Sequence, residues 1–330
     1  MASSMDAARA LVGNVATVLE GKSQVVELAC ATLLARGHLL LEDVPGTGKT
    51  TLAKALARSV GLDTYAGARA HARNDDEEPS GFRRVQFTSD MLPSDLLGVT
   101  VLDPREGRFV FRPGPIFTHV LLADEINRTT PKTQSALLEA MNERQVSVDG
   151  TTHPLEEPFF VVATQNPRDF YGTYPLPESQ LDRFLLRLRI GYPSEQIERR
   201  LLATRGRVDP LDELSAVLSR EELLATQDAV ERVRMETTLL DYVHRIVIAT
   251  RSSPLLDLGA STRAALDFVH AARAIALVRE RSYVLPDDVK QLAVHVLAHR
   301  VRMAGGDGSL DTVGAERIVR DLVSRIPVPV

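Results

Sequence analysis

The chain has very little cysteine and no long apolar run, and both absences narrow what it can be. Cys30 is the only cysteine among 330 residues, so no disulfide can form within the chain. It lies among apolar residues at helical spacing, which predicts a buried thiol. No apolar run reaches the roughly 18 residues that a membrane-spanning helix needs. The first ten residues lack the apolar core of a signal peptide, so we expect a cytoplasmic protein.

The chain also lacks an excess of positive charge. Its formal net charge of −5 provides no general attraction to nucleic acid or to an anionic membrane. A hydrophobic content of 44% and a charged content of 25% are typical of a globular protein. The length of 330 residues suggests about two domains.

Short apolar runs alternate with helical patterns through the first part of the chain. The runs predicted to be strands cover residues 38–41, 84–87, 120–123, 159–164 and 185–190. Such alternation predicts an α/β core, in which a parallel sheet is flanked by helices in three layers. Two alternating stretches at 107–111 and 145–148, each bounded by Gly or Pro, predict small hairpins.

The pattern becomes helical almost throughout from residue 194 onward. Pro193 restricts the residue before it and is a plausible boundary. We therefore predict an α/β core over residues 1–192 and an all-helical domain over residues 193–330. Residues 66–81 are polar and rich in acidic side chains, which predicts a solvated loop, with an acidic binding loop as the alternative.

Residues 43–50, with the sequence DVPGTGKT, follow a predicted strand and open a predicted helix, which is the context of a phosphate-binding loop. Gly46 and Gly48 allow tight turns whose N–H groups can surround phosphate oxygens. Lys49 would neutralise the β- and γ-phosphates of a nucleotide, and the Thr50 hydroxyl would hold Mg²⁺. Asp43 stands where the general motif has glycine, so its carboxylate must point away from the phosphates. The residues predicted to bind ATP here are Val44, Pro45, Gly46, Thr47, Gly48, Lys49, Thr50 and Thr51.

Polar side chains follow two further predicted strands. Asp124 and Glu125 end the apolar run at 120–123, and Asn166 follows the run at 159–164. Because ligands in open α/β sheets bind at the carboxyl ends of strands, these side chains should join the phosphate loop. Asp124 would hold Mg²⁺, directly or through water. Glu125 would orient and deprotonate the attacking water, and Asn166 could position that water.

Together these motifs resemble those of AAA+ ATPases: Walker A at 43–50, Walker B at 120–125 and a sensor 1 asparagine at 166. Within that superfamily, residues 85–98, 113–115, 124–128 and 176–184 closely resemble the MoxR ATPases. The similarity spans most of residues 20–305. The resemblance implies ATP and Mg²⁺ as cofactors and a helical lid after the core.

The resemblance also implies roles for two arginines. Arg183 corresponds to the arginine finger, which reaches the γ-phosphate held by the next subunit of a ring. The alternative makes Arg183 a salt-bridge partner of Asp182 or Glu178 at a helix end. Arg263 corresponds to sensor 2, which contacts nucleotide from the helical domain. The family usually has Pro where Thr262 stands, a mild departure because Ser or Thr before a helix caps it well.

The resemblance further implies a homo-oligomeric ring, expected to be a hexamer, that remodels or activates a protein client. Family members often work with proteins that carry von Willebrand factor A domains. The two predicted hairpins correspond to segments that line one face of the ring. The loop at 66–81 is roughly fifteen residues longer than the usual connection, which puts only the local structure in doubt.

Two other functions stay open on the sequence. A nucleic-acid motor would use Arg105, Arg108, Arg112, Arg187 and Arg189, which we expect instead to face solvent or adjacent subunits. The acidic charge and the absence of a recognisable nucleic-acid-binding motif argue against this function. A nucleotide-switched scaffold with little turnover is the other alternative, and the presence of both the Walker B glutamate and the sensor 1 asparagine argues against it.

Overall fold

A computed structural model of the chain describes residues 1–62, 80–104, 107–166, 172–204, 210–305 and 312–329. Of the predicted loop at 66–81, only the last two residues are described, and they begin a strand. Arg105 also lies outside the described residues. The strands are β1 Leu39–Glu42, β2 Ser80–Gln86, β3 Gly98–Asp103, β4 Arg108–Pro113, β5 Thr118–Asp124, β6 Gln145–Val148, β7 Thr151–Pro154, β8 Phe160–Gln165, β9 Leu186–Leu188, β10 Leu256–Leu258 and β11 Arg302–Met303.

Helices occupy most of the remaining described residues. They are α1 Ala2–Val18, α2 Ser23–Leu34, α3 Lys49–Ser59, α4 Pro93–Leu97, α5 Pro131–Glu143, α6 Glu178–Leu181, α7 Glu195–Thr204, α8 Arg220–Glu231, α9 Thr237–Ser252, α10 Thr262–Val278, α11 Pro286–Leu297 and α12 Thr312–Arg325. None of the described helices is long and apolar enough to cross a bilayer.

Five strands form one parallel sheet in the order β2-β5-β8-β1-β9. Every residue of β1 and β5 is buried, which explains why these strands are continuous apolar runs in the sequence. In the register, Glu42 lies beside Gln165, and Gln86 lies beside Asp124. The carboxyl ends of the strands therefore meet at one edge, and the predicted α/β fold is confirmed.

The two predicted hairpins are formed by β3 with β4 and by β6 with β7. The ring of Phe111 in β4 stacks on the ring of His153 in β7, with centroids 4.0 Å apart. Phe117 meets Phe111 edge to face at 5.7 Å. These aromatic contacts pack the hairpins against each other.

The helices after β9 share one hydrophobic core with the first two helices of the chain. α10 packs on α1 and α2, and α8 packs on the same pair. Leu11, Leu33 and Phe268 are almost completely buried in this core. The lid is helical as predicted, with a short two-stranded ladder of β10 and β11 added to it. The exact boundary near Pro193 stays a prediction.

Two local predictions concern single residues. Cys30 on α2 is fully buried, as expected, and burial raises the pKa of its thiol. α10 begins at Thr262, and its cap is the neighbouring Ser261, whose hydroxyl accepts the N–H of Ala264 at 3.0 Å. Thr262 therefore occupies the first helical position, where a proline would also be favoured.

Candidate functional site

The loop between β1 and α3 has the backbone shape of an anion-binding loop. Gly46 and Gly48 have φ angles of +84° and +95°, a region that L side chains rarely adopt. α3 begins at Lys49 directly after Gly48, so the unpaired N–H groups of its first turn lie at the loop. Backbone N–H groups and the positive end of a helix favour a bound anion such as phosphate.

Two charged side chains hold this loop in shape. The Lys49 ammonium donates hydrogen bonds to the carbonyl oxygens of Asp43 at 2.6 Å and Val44 at 2.9 Å. Partial burial lowers the pKa of Lys49, although three surrounding carboxylates act to raise it. The carboxylate of Asp43 accepts the N–H of Val44 at 2.8 Å and that of Gly191 at 2.6 Å. This carboxylate points away from the loop interior, as predicted, and its hydrogen bonds connect the loop to the segment after β9.

Asp124 ends β5 beside the loop, and both of its carboxylate oxygens have donors. The Thr164 hydroxyl donates to Oδ1 at 2.6 Å. The Arg84 guanidinium donates to Oδ2 through Nε at 3.0 Å and through Nη2 at 2.6 Å. Asp124 is 8% exposed, so the carboxylate of this ion pair is buried, whereas the Arg84 side chain is about half exposed.

Glu125 follows Asp124 in a left-handed backbone conformation, with φ of +58°. That conformation is uncommon for a residue other than glycine. The Glu125 N–H donates to the Thr164 hydroxyl at 2.8 Å, which supports the turn. Its carboxylate oxygen Oε2 accepts from the Gln86 amide at 2.7 Å and lies 3.0 Å from Nε of Arg128.

A cavity of about 510 Å³ joins these groups. Its polar part includes the loop from Pro45 to Thr51, both Walker B carboxylates and the buried Asn166. Its apolar part is formed by side chains at the end of α1, after β9 and on α7: Val18, Leu19, Ile190, Ile197 and Leu201. Of the residues predicted to bind nucleotide or Mg²⁺ near the phosphate loop, Pro45 to Thr51, Asp124, Glu125 and Asn166 therefore line one cavity, whereas Val44 does not.

The cavity suits a nucleotide with a divalent cation. Its volume lies within the usual range for small-molecule sites, and its apolar end suits a base while its loop suits phosphates. Thr50 and Asp124 supply hard oxygen ligands of the kind that Mg²⁺ prefers. No cluster of three or more His, Cys, Asp or Glu side chains that could hold a metal was found among the described residues. Mg²⁺ needs no such cluster when substrate phosphates complete its coordination.

Arg183 and Arg263 are not part of this cavity. They line a second cavity of about 300 Å³ to which several elements contribute, including Asn142 and Arg144 at the carboxyl end of α5. Arg263 donates to the Asn142 amide oxygen at 2.6 Å, and Arg183 donates to the carbonyl of Leu138. The two predicted arginines therefore lie together, away from the phosphate loop of their own chain.

The alternative interpretation of Arg183 as a partner of its acidic neighbours receives no support from the described residues. Asp182 lies 3.4 Å from Arg300 and accepts a hydrogen bond from Ser261 at 3.1 Å. Glu178 pairs with Arg302 at 3.3 Å. Both carboxylates thus bind cations of the lid rather than Arg183.

One expectation about surface arginines is wrong for Arg187. We expected it to face solvent or another subunit, yet its side chain is only 4% exposed. It lies 3.3 Å from the buried Glu42 and 2.6 Å from Glu316 of α12. Arg189 bridges the same two carboxylates at 3.0 and 3.3 Å. Buried charges need such pairing, so Arg187 is a structural link between β1 and the last helix.

Three residues that contact the Walker B carboxylates were not predicted as site residues from the sequence: Arg84, Gln86 and Thr164. Each lies at or near the carboxyl end of a strand next to β5 in the sheet. The rule that identified Asp124 and Asn166 could have found them. It did not, because the strand order was unknown and Arg84 reads as an ordinary strand residue.

Comparison with known proteins gives two family matches. The profile of the ATPase family associated with various cellular activities (AAA) matches residues 66–186. The profile of the AAA lid domain matches residues 248–322. The two matches fall in the α/β part and in the helical part of the chain.

Individual relatives cover almost the whole chain. It is 46% identical to YeaC of Bacillus subtilis over 97% of this chain and 94% of that protein. It is 38% identical to Chaperone MoxR1 of Mycobacterium tuberculosis over 96% of this chain and 81% of that protein. The crystal structure of a putative ATPase from Cytophaga hutchinsonii superposes with a TM-score of 0.84 at 31% identity, covering 99% of this chain and 97% of the other.

Proposed function

The chain belongs to the MoxR family of AAA+ ATPases, and from this premise we propose that it hydrolyses ATP with Mg²⁺ at sites shared between the subunits of a ring. The observation that carries the proposal is the cavity in which Lys49, Thr50, Asp124, Glu125 and the buried asparagine of sensor 1 converge. A phosphate loop alone would support nucleotide binding. The carboxylates beside it support hydrolysis.

Each side chain has a role that its position supports. The Lys49 ammonium neutralises the β- and γ-phosphates, and the loop N–H groups orient them. Thr50 and Asp124 hold Mg²⁺, which supplies further charge neutralisation on the phosphates when bound. Glu125 orients the attacking water and accepts its proton, and Asn166 fixes the position of that water.

We propose that Arg183 and Arg263 serve the neighbouring subunit. Both lie outside the cavity of their own phosphate loop and beside each other. An arginine supplied in trans stabilises the charge of the phosphoryl-transfer transition state and contributes about 10³ to 10⁵ in rate. A head-to-tail interface that repeats around a closed ring would bring both arginines to the next site. Six subunits are the expected number by family resemblance.

Two variants test the roles within one subunit. Lys49→Ala removes the phosphate-neutralising cation and should abolish binding of a fluorescent ATP analogue. Glu125→Gln should retain ATP while lowering turnover by at least about a hundredfold, because the catalytic base is lost. Wild-type turnover in Glu125→Gln would remove this residue from catalysis.

Mixing two inactive variants tests the shared site. Equal amounts of Lys49→Ala and Arg183→Ala should regain turnover, since about a quarter of the interfaces in random rings pair an intact loop with an intact finger. Mixing Lys49→Ala with the Lys49→Ala, Arg183→Ala double variant is the matched control and should stay inactive. No recovery in verified mixed rings would contradict action in trans. The same mixing test with Arg263→Ala decides whether Arg263 acts on the nucleotide of its own subunit or on that of the neighbouring subunit.

The work that hydrolysis drives is proposed to be the remodelling of a protein client. The relative named Chaperone MoxR1 supports this class of function. A protein with a von Willebrand factor A domain is the first partner to test, by co-purification with Glu125→Gln and ATP. DNA that stimulates hydrolysis would instead favour the nucleic-acid motor, although burial removes Arg187 from its contact surface. A cytoplasmic location stays a prediction.

A further inference from the structure

The guanidinium of Arg84 contacts the carboxylate of Asp124, the residue predicted to hold Mg²⁺. This guanidinium directs two N–H groups at one carboxylate oxygen of Asp124, at 3.0 and 2.6 Å. The other oxygen accepts the Thr164 hydroxyl at 2.6 Å. Because Oδ2 already accepts two N–H groups of Arg84, a metal ion that binds directly to this oxygen must displace the guanidinium.

Of the two donors, Arg84 is the one that can be displaced readily. Thr164 lies in the interior of the sheet and is 1% exposed, and its hydroxyl also accepts the Glu125 N–H. The Arg84 side chain is 48% exposed and extends into the cavity. Its second contact, to the Gln86 amide oxygen at 3.2 Å, is a longer hydrogen bond than those to Asp124. A long, half-exposed side chain can change rotamer without disturbing the sheet.

Electrostatics argues that Arg84 and Mg²⁺ exclude each other from the same oxygen. Two cations that share one carboxylate oxygen repel each other, and Asp124 is too deeply buried for water to screen that repulsion well. In the absence of metal the same ion pair stabilises the buried carboxylate by direct contact, in addition to the longer-range attraction of the Lys49 ammonium. Arg84 thus stabilises Asp124 before the metal binds and is repelled by the metal afterwards.

We propose that Arg84 competes with Mg²⁺ for Asp124 and so sets the Mg²⁺ concentration at which nucleotide binds tightly. This inference rests on the proposed function of the cavity. Arg84 is a positioning residue in this scheme: it keeps Asp124 oriented toward the cavity while no metal is bound, and it leaves the carboxylate when the metal is bound. The affinity for Mg²⁺ is reduced by the fraction of molecules in which the ion pair is closed.

The test measures Mg²⁺ dependence rather than turnover. Binding of a fluorescent, non-hydrolysable ATP analogue to the full chain is titrated with Mg²⁺ at a fixed analogue concentration. Removing the guanidinium in Arg84→Gln should lower the half-saturating Mg²⁺ concentration by about three- to tenfold, as expected for loss of a partly exposed ion pair. Arg84→Lys keeps the charge but loses the two-donor geometry, so its half-saturating Mg²⁺ concentration should lie between those of the wild type and Arg84→Gln.

A charge-matched control lies one residue away. Arg83→Gln removes the same charge from the same strand, but Arg83 does not line the cavity and, because side chains alternate along a strand, it projects from the other face of the sheet. It should keep the wild-type Mg²⁺ requirement. A requirement that is unchanged or higher in Arg84→Gln would overturn the inference, as would an equal decrease in both variants.

A second measurement separates competition from a purely structural role. Without nucleotide, the melting temperature of Arg84→Gln should lie below that of the wild type, because Asp124 loses its direct ion-pair partner. Millimolar Mg²⁺ alone should raise the melting temperature of the variant by more than that of the wild type. Equal Mg²⁺ responses would contradict the inference. If the wild type binds no analogue at any Mg²⁺ concentration, the proposed function itself fails. If the wild type binds the analogue tightly with Mg²⁺ and Arg84→Gln has no effect, only the competition between Arg84 and Mg²⁺ is refuted.

Discussion

We expect acid to destabilise the fold through His38, a buried histidine at the start of β1. Its Nε2 lies 3.2 Å from the Met141 carbonyl, and its Nδ1 accepts the N–H of Val161 at 3.1 Å. These partners assign the neutral ring with the proton on Nε2. A second proton on Nδ1 would remove the acceptor that Val161 uses.

The magnitude follows from the pKa difference between the folded and unfolded chain. Burial lowers the pKa of His38 to about 4, with Arg144 and Arg263 acting in the same direction. In the unfolded chain the pKa returns to about 6.5, so the unfolded state binds the proton first as pH falls. The stabilisation is complete above pH 6.5 and is lost as pH falls toward 4. Between pH 7.5 and 5.0 this one residue accounts for a loss of about 2 kcal/mol.

The assay compares urea unfolding of the wild type and His38→Asn at the two pH values. Asparagine does not titrate, and its side-chain oxygen can still accept the N–H of Val161. The variant should therefore lose about 2 kcal/mol less than the wild type between pH 7.5 and 5.0. Buried histidines elsewhere add to the loss in both proteins and cancel in the difference.

A matched control is the exposed His244 on α9. His244→Asn should follow the wild-type pH dependence. If His38→Asn and the wild type lose the same free energy of unfolding, the buried neutral ring is not a source of acid sensitivity and the reasoning is refuted.

Three further predictions concern the surroundings of the phosphate loop. Arg187→Met should lower the free energy of unfolding by about 3 kcal/mol, because the buried carboxylate of Glu42 loses a cationic partner. Adding Glu42→Gln should recover part of that loss. Additive losses of the two substitutions in urea unfolding would contradict the link between Arg187 and Glu42. Gly21→Val should weaken binding of the ATP analogue about tenfold, because Gly21 has φ of +72° and a Cβ there would lie 2.2 Å from Cδ1 of Ile197, which lines the cavity. Unchanged affinity would exclude the segment around Gly21 from the site. Asp43→Ala should lower the melting temperature and weaken analogue binding, since the N–H groups of Val44 in the loop and of Gly191 after β9 lose their acceptor. Wild-type values for both would show that the loop holds its shape without the Asp43 carboxylate.

Much of the site could be predicted because its parts are local. The phosphate loop is one continuous segment whose glycine spacing, lysine and following helix are visible in order along the chain. The strands before Asp124 and Asn166 are buried on both faces, so they appear as apolar runs, and the edge at which they end follows from parallel pairing. Burial of Cys30 was predictable for the same reason, since helical periodicity shows which face is apolar.

Only the tertiary structure decided the pairings between distant segments. It brought Arg84 and Gln86 onto the Walker B carboxylates, which depends on β2 lying next to β5 across a long stretch of chain. It buried Arg187 against Glu42, and it grouped Arg263 with Arg183 instead of with the phosphate loop. An arginine in a sequence carries the same charge whether it is solvated, paired or directed at a neighbour. Its environment is set by packing between segments far apart in the chain, and that information lies in no single stretch of sequence.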